Sequence, residues 1–175
     1  LPTIDRTRSC GELVFDGVAA EPLVETDLTR ICVAGRVMLG ADTLGAGFAM
    51  IDKAVAYAKQ RKQFGRIIAS YQAVKHLCAE MAAQLEPGRA LVWYAAYALD
   101  QRPDEGPLVA AHAKSYLGEG GRLVARTATE VHGGIGITDM LGLHYWYKRI
   151  GANRPLLGSP ERLREQAARI HGFVQ

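Results

Sequence analysis

Residues 26–60 read TDLTRICVAGRVMLGADTLGAGFAMIDKAVAYAKQ, and this stretch decides the fold. Thr26 and Asp27 are good helix N-caps, because their side-chain oxygens can accept from the backbone N–H groups that a helix start leaves unpaired. Ile31, Cys32, Val37, Met38, Leu44, Phe48, Ile51 and Val55 follow at roughly helical spacing. Gly40, Gly45 and Gly47 interrupt the run. Each costs helix stability, so their expected use is the close approach of a neighbouring helix. The spacing predicts one helix from Thr26 to about Gln60.

The pattern continues downstream. Val74, Leu77, Cys78, Met81, Leu85, Leu91, Tyr94 and Ala98 mark a second helix over about 70–100, with a kink expected at Pro87-Gly88. Residues 101–107, QRPDEGP, break the chain. A third helix is predicted over about 108–131, with the small residues Ala110, Ala111, Ala113, Gly118, Gly120 and Gly121 on it. It ends at His132-Gly133-Gly134-Ile135-Gly136, where glycine can supply a left-handed cap. A short amphipathic segment spans about 140–149. The last helix starts at Ser159-Pro160-Glu161, with a cap serine and proline in its first turn, and Leu163, Ala167 and Ile170 mark its buried stripe. Long helices joined by short connections predict an all-α fold, a four-helix up-down bundle.

Upstream, Glu12-Leu13-Val14-Phe15-Asp16-Gly17-Val18 alternates like a strand and breaks at an Asp-Gly turn pair. A lone strand has no stability without sheet neighbours. Residues 1–24 are therefore expected to be the tail of a β-rich domain, a short β remnant preceding a helical domain over 25–175.

Apolar residues make up 49% of the chain and the net charge is +3, which suits a packed core and excludes a disordered tail. The cations form no basic stripe interleaved with aromatics, so no nucleic acid is expected as partner. No uninterrupted apolar run of about 18 residues occurs, so no membrane span is expected. Cys10, Cys32 and Cys78 make no CxxC pair and read as reduced, small hydrophobes. Without a secretory signal pattern, the expected location is cytoplasmic.

Between the first two helical patterns lies Arg61-Lys62-Gln63-Phe64-Gly65-Arg66. Arginine suits phosphate oxygens, phenylalanine a flat ring, and glycine the close approach of backbone to a ligand. Taken alone, such a turn is more often just a patch of solvated charge.

Further residues make the pattern specific. Ala56-Tyr57-Ala58-Lys59-Gln60 leads into the basic turn, Tyr71-Gln72-Ala73-Val74-Lys75-His76 follows it, and Glu130-Val131-His132-Gly133-Gly134-Ile135-Gly136 comes later. In this order, after the β-domain exit around Phe15-Asp16-Gly17, nearly the whole chain resembles the C-terminal part of an acyl-CoA dehydrogenase. Val131 to Thr138 and Leu143-His144 resemble a subgroup of bacterial fatty-acid and sterol side-chain degradation.

That resemblance implies a flavoprotein acting in lipid degradation. Its helical bundle would mediate homo- or hetero-oligomerisation, to a dimer or tetramer, and each FAD would be held partly by the neighbouring subunit. Arg61 would bridge the FAD pyrophosphate and Phe64 would pack on the cofactor. Gln63 and Gln72 would contact its ribityl or adenosine portion, with Gly133 and Gly134 admitting backbone amides to the phosphates. Glu130 stands in the same set, where many relatives carry glutamine; its charge opposes a phosphate unless it turns away or pairs with Arg126. The implied reaction oxidises an acyl-CoA thioester to the 2,3-enoyl-CoA: a carboxylate takes the α-proton and hydride leaves to the flavin. Electrons would pass to an electron-transfer flavoprotein.

The catalytic base is missing from this pattern. The family's two glutamate positions fall on Gly35 and Leu157, neither of which can take a proton. Asp139 and Glu161 are the nearest carboxylates in sequence, the first read as a turn residue and the second as a partner of the helix dipole. His132 and His144 are titratable, and Tyr145, Trp146 and Tyr147 either line an acyl pocket or form a packing stripe. The expected protein is a dehydrogenase subunit with an unassigned base, a helper subunit in a heteromeric dehydrogenase, or a purely structural oligomerisation domain.

Overall fold

The computed structural model describes residues 2–23 and 26–174. Asp27 caps the first helix, its Oδ1 accepting from Arg30 N at 2.9 Å, and α1 runs over Leu28–Gln60. A two-stranded antiparallel hairpin follows, β1 (Lys62–Gln63) and β2 (Arg66–Ile67), and a 3₁₀ turn at Ile68–Ser70 leads into α2 (Gln72–Leu85). Next come α3 (Pro87–Gln101), α4 (Gly106–His132), α5 (Leu143–Asn153) and α6 (Pro160–Ile170). Two 3₁₀ turns, Gly133–Ile137 and Asp139–Leu141, separate α4 from α5.

Proline and serine set the breaks as expected. Pro87 has no N–H to continue the ladder, so the expected kink divides the 70–100 helix into α2 and α3 around Glu86. Ser159 Oγ accepts from Arg162 N and Pro160 occupies the first turn of α6.

The bundle closes around α1 and α4, with Met50, Met81, Leu85, Leu117 and Val124 fully buried between them and α2. Glycine makes this closeness possible. A Cβ on Gly47 would stand 2.8 Å from Leu85 Cδ2, and one on Gly121 would stand 2.7 Å from Thr43 Cγ2. Gly45 meets nothing and does not share this use. By length and composition α1 would suffice to cross a membrane, yet its Val37, Leu44, Met50 and Ala54 are buried in the bundle.

Upstream, the outcome differs from expectation. Residues 12–18 form no strand, and Leu13, Val14, Phe15 and Val18 are exposed. Among the described residues their backbone groups have no neighbouring strand with which to build a ladder. Only the first residues are tied down. Arg8 donates to Asp42 Oδ2 on α1 at 2.6 Å and to Asn153 Oδ1 on α5 at 2.7 Å. Buried Asn153 donates in turn to the same Asp42 oxygen and to Thr43.

Candidate functional site

At the end of α1 the chain leaves the helix through Arg61, in extended conformation. Lys62 pairs with Ile67 and Gln63 with Arg66, so Phe64 and Gly65 are the two central residues of the hairpin. Both have positive φ, +52° and +80°, as a right-twisted two-residue hairpin requires. Glycine takes that conformation freely; phenylalanine does so under strain. The strained turn points Phe64 outward, 90% exposed. Ile68 N donates to Arg61 O at 2.8 Å, Tyr71 Oη donates to Gln63 O at 3.1 Å, and the Arg66 guanidinium lies 3.9 Å over the Tyr71 ring. These contacts fix the hairpin base while its tip stays bare.

Beside the hairpin opens a cavity of about 760 Å³. The hairpin contributes Arg61, Gln63 and Phe64, while the end of α4 and its glycine turn contribute Glu130, Gly133 and Gly134. Gly133 ends α4 at φ +64°, ψ −148°, and its N–H returns to Glu130 O. No atom lies within 4 Å of where a Cβ would stand on Gly133 or Gly134, so the turn's backbone has open space beside it. Tyr57 and His132 form part of the wall, stacked with ring centroids 4.7 Å apart. His132 is buried and its Nδ1 donates to Ala128 O at 2.7 Å, so its ring is structural as well as lining.

Six of the seven residues expected at a cofactor site therefore share one cavity. Gln72 is not among them: it opens α2, exposed to solvent, and Tyr71, Ala73 and Val74 take the wall there. Glu130 and Arg126 make no ion pair, and Arg61 makes none with any described residue. A bare guanidinium, an outward aromatic ring and an open glycine turn fit the phosphate-bearing half of a dinucleotide, with Glu130 the one opposing charge.

The family model for the acyl-CoA dehydrogenase C-terminal domain matches residues 28–171. The chain belongs to the acyl-CoA dehydrogenase family. It is 31% identical to acyl-CoA dehydrogenase IpdE2 of Mycolicibacterium smegmatis, over 99% of this chain and 51% of that protein. It is 36% identical to the caffeyl-CoA reductase-Etf complex subunit CarC of Acetobacterium woodii, over 58% of this chain and 27% of that subunit. Butyryl-CoA dehydrogenase from Megasphaera elsdenii has a similar structure, with a TM-score of 0.77 and 25% identity over 84% of this chain and 38% of that one. The chain thus spans about half the length of IpdE2 and less of the others.

Gly35 and Leu157, on which the resemblance sets the family's glutamates, meet in space. A Cβ on Gly35 would collide with Leu157 Cδ1. Arg36 Nε donates to Leu157 O at 2.9 Å, and buried Lys114 gives its Nζ to the carbonyls of Asn153, Arg154 and Gly158 at 2.9, 3.1 and 3.3 Å. Burial, with Arg36 and Arg154 nearby, lowers the Lys114 pKa to about 8. The loop carrying Leu157 is thereby stapled to α1 and α4.

The carboxylates weighed as substitutes have other engagements. Glu161 pairs with Arg154, and hydrogen bonds from its own backbone amide, Ser159 and Arg154 hold its pKa down to about 2, too low for a base near neutrality. Asp139 lies exposed, 3.4 Å from His144. Trp146 packs against the core, and Tyr145 and Tyr147 are surface residues. Tyr57 and Tyr71 were missed as lining residues. The signal for Tyr57 was its place one helical turn before Arg61.

Proposed function

We propose that this chain is the C-terminal part of an FAD-dependent acyl-CoA dehydrogenase that converts an acyl-CoA thioester to its 2,3-enoyl-CoA. In this reading residues 1–24 are the tail of a preceding β-domain. The convergence of Arg61, Gln63, Phe64, Gly133 and Gly134 on one cavity, from two segments far apart in sequence, carries the reading. FAD, the family's cofactor, would supply the hydride acceptor. Arg61 would hold its pyrophosphate, the Phe64 ring would cover its flat portion, and the glycine turn would let main-chain amides approach the phosphates. Gln63 would give a polar contact, and Gln72 would join only if the ligand extends past the rim. Electron-transfer flavoprotein is the expected electron acceptor, in keeping with the Etf complex to which the related CarC belongs. A cytoplasmic homo- or hetero-oligomer is the expected assembly.

One observation favours a second reading within the same chemistry. Gly35 and Leu157 carry no carboxylate and occlude each other. A helper subunit that lends its cavity to a partner's flavin, with the partner supplying the glutamate, fits that arrangement. A purely structural domain fits less well, because a scaffold needs neither a bare arginine nor a strained, outward phenylalanine.

Arg61→Ala in the full-length protein tests the site. Flavin is expected to be lost while helical content stays; wild-type flavin content would remove Arg61. Anaerobic addition of acyl-CoA separates the two readings, since a flavin that bleaches with this subunit alone belongs to a working centre, and one that bleaches only with a partner marks a helper.

A further inference from the structure

Across the glycine turn from the cavity described above lies a second one, of about 580 Å³, which the flavin reading does not use. The two share Glu130, Gly133 and Gly134 as a common rim. The first extends toward α1 and α2; the second extends toward α5 and is bounded by Arg126, His144, Tyr147 and Lys148. Its charges are unusual. Arg126 and Lys148 approach from different helices, and neither makes an ion pair with any described residue. Lys148 is also half-buried.

A third group adds to this. The His144 side chain is only 10% exposed, and its Nδ1 is buried without a hydrogen-bond partner, the nearest carboxylate being Asp139 at 3.4 Å. The imidazole, the guanidinium and the ammonium line one space, and the single carboxylate lining it is Glu130, exposed at the shared rim. Tyr147 and Ile137 add an apolar edge.

We infer that this cavity binds a phosphate monoester, with Arg126 and Lys148 on the phosphate oxygens and Ile137 and Tyr147 against the body of the ester. Two unpaired cations from different elements match a compact dianion better than a single carboxylate, and a guanidinium can bind phosphate through two parallel hydrogen bonds. The dinucleotide read into the first cavity offers only a pyrophosphate diester, so the monoester belongs to a separate nucleotide. The inference itself stands whether or not the first cavity holds flavin.

Adenosine 3′,5′-bisphosphate is the probe, titrated calorimetrically into the full-length protein at low salt. Saturable binding at one site per chain is expected, at least about tenfold weaker in Arg126→Gln and in Lys148→Gln, and weakened less in Arg126→Lys, which keeps the charge but not the paired hydrogen bonds. Both positions face the cavity rather than the core, and circular dichroism checks that the variants fold. Arg61→Ala separates the two cavities: bisphosphate binding retained there shows an independent ligand, whereas binding strengthened there would show a dinucleotide filling both cavities and would overturn the inference. Absence of saturable binding, equal affinity in the Arg126→Gln and Lys148→Gln variants, or loss in Arg61→Ala would overturn the inference.

Discussion

The side chain of Leu157 fills the space that any side chain on Gly35 would need. Leu157 itself sits at φ +55°, a conformation that costs a non-glycine residue roughly 1–2 kcal/mol. The strain persists because Arg36 and Lys114 hold the surrounding carbonyls. Gly35→Ala is therefore expected to destabilise the full-length protein by about 1–3 kcal/mol through overpacking. Leu157→Ala should recover much of that loss in the double variant. Denaturant melts of the four members of the cycle measure the coupling, and strict additivity would show that the two residues do not touch in solution.

Phe64 predicts the opposite balance. Its left-handed backbone and bare ring contribute little to the isolated bundle. Phe64→Gly should raise the melting midpoint slightly, by about 1 kcal/mol of relieved strain, while weakening flavin retention. Thermal melts and flavin absorbance after gel filtration check the two effects separately.

Lys114 predicts a pH effect. Its folded pKa of about 8 lies below the ordinary 10.5, so the unfolded chain binds more protons between those values. The Lys114 contribution to stability should then be flat below pH 8 and rise from pH 8 to about 10.5. Urea midpoints across that range should show the rise in wild type and lose this component in Lys114→Met. The same variant leaves three backbone carbonyls without their donor but also removes a buried charge, and should lose about 1–3 kcal/mol at pH 7.

Asn153 predicts how the leading segment is held. Its amide joins Arg8, Asp42 and Thr43, and the residue is almost wholly buried. Asn153→Ala should cost about 2–3 kcal/mol and open residues 3–8 to proteases. Mass spectrometry of early cleavage products would detect this; cleavage unchanged from wild type would assign the anchoring to the contacts of Arg149 with Asp5 and Thr7 and of Asp42 with Arg8.

Much of the fold was legible because its punctuation is local. Asp27, Pro87 and Ser159-Pro160 each act on backbone groups within a few residues, so their effect can be read without knowing the neighbours. The strand at 12–18 failed for the converse reason, since alternation only specifies a strand when another strand is there to pair with it. At the site, the residues of the hairpin and the glycine turn were recognisable by type, whereas Gln72 lies outside the cavity because its position at a helix start turns it to solvent. The contact of Gly35 with Leu157 and the stack of Tyr57 on His132 join distant parts of the chain, and depend on how α1, α4 and the 154–158 loop pack.

The length of α1 has a consequence of its own. Gly35 lies near one end of this 33-residue helix and Arg61 immediately follows the other. At 1.5 Å per residue they stand roughly 40 Å apart along a single rod. No small reacting group could touch both. Under the proposed function, one copy of the chain would serve two separate centres, steadying a cofactor at one end and shaping a reaction chamber at the other. Damage at Arg61 and damage at Gly35 would then strike different chambers of the same assembly, and mixing the two defective copies could leave one chamber with neither fault.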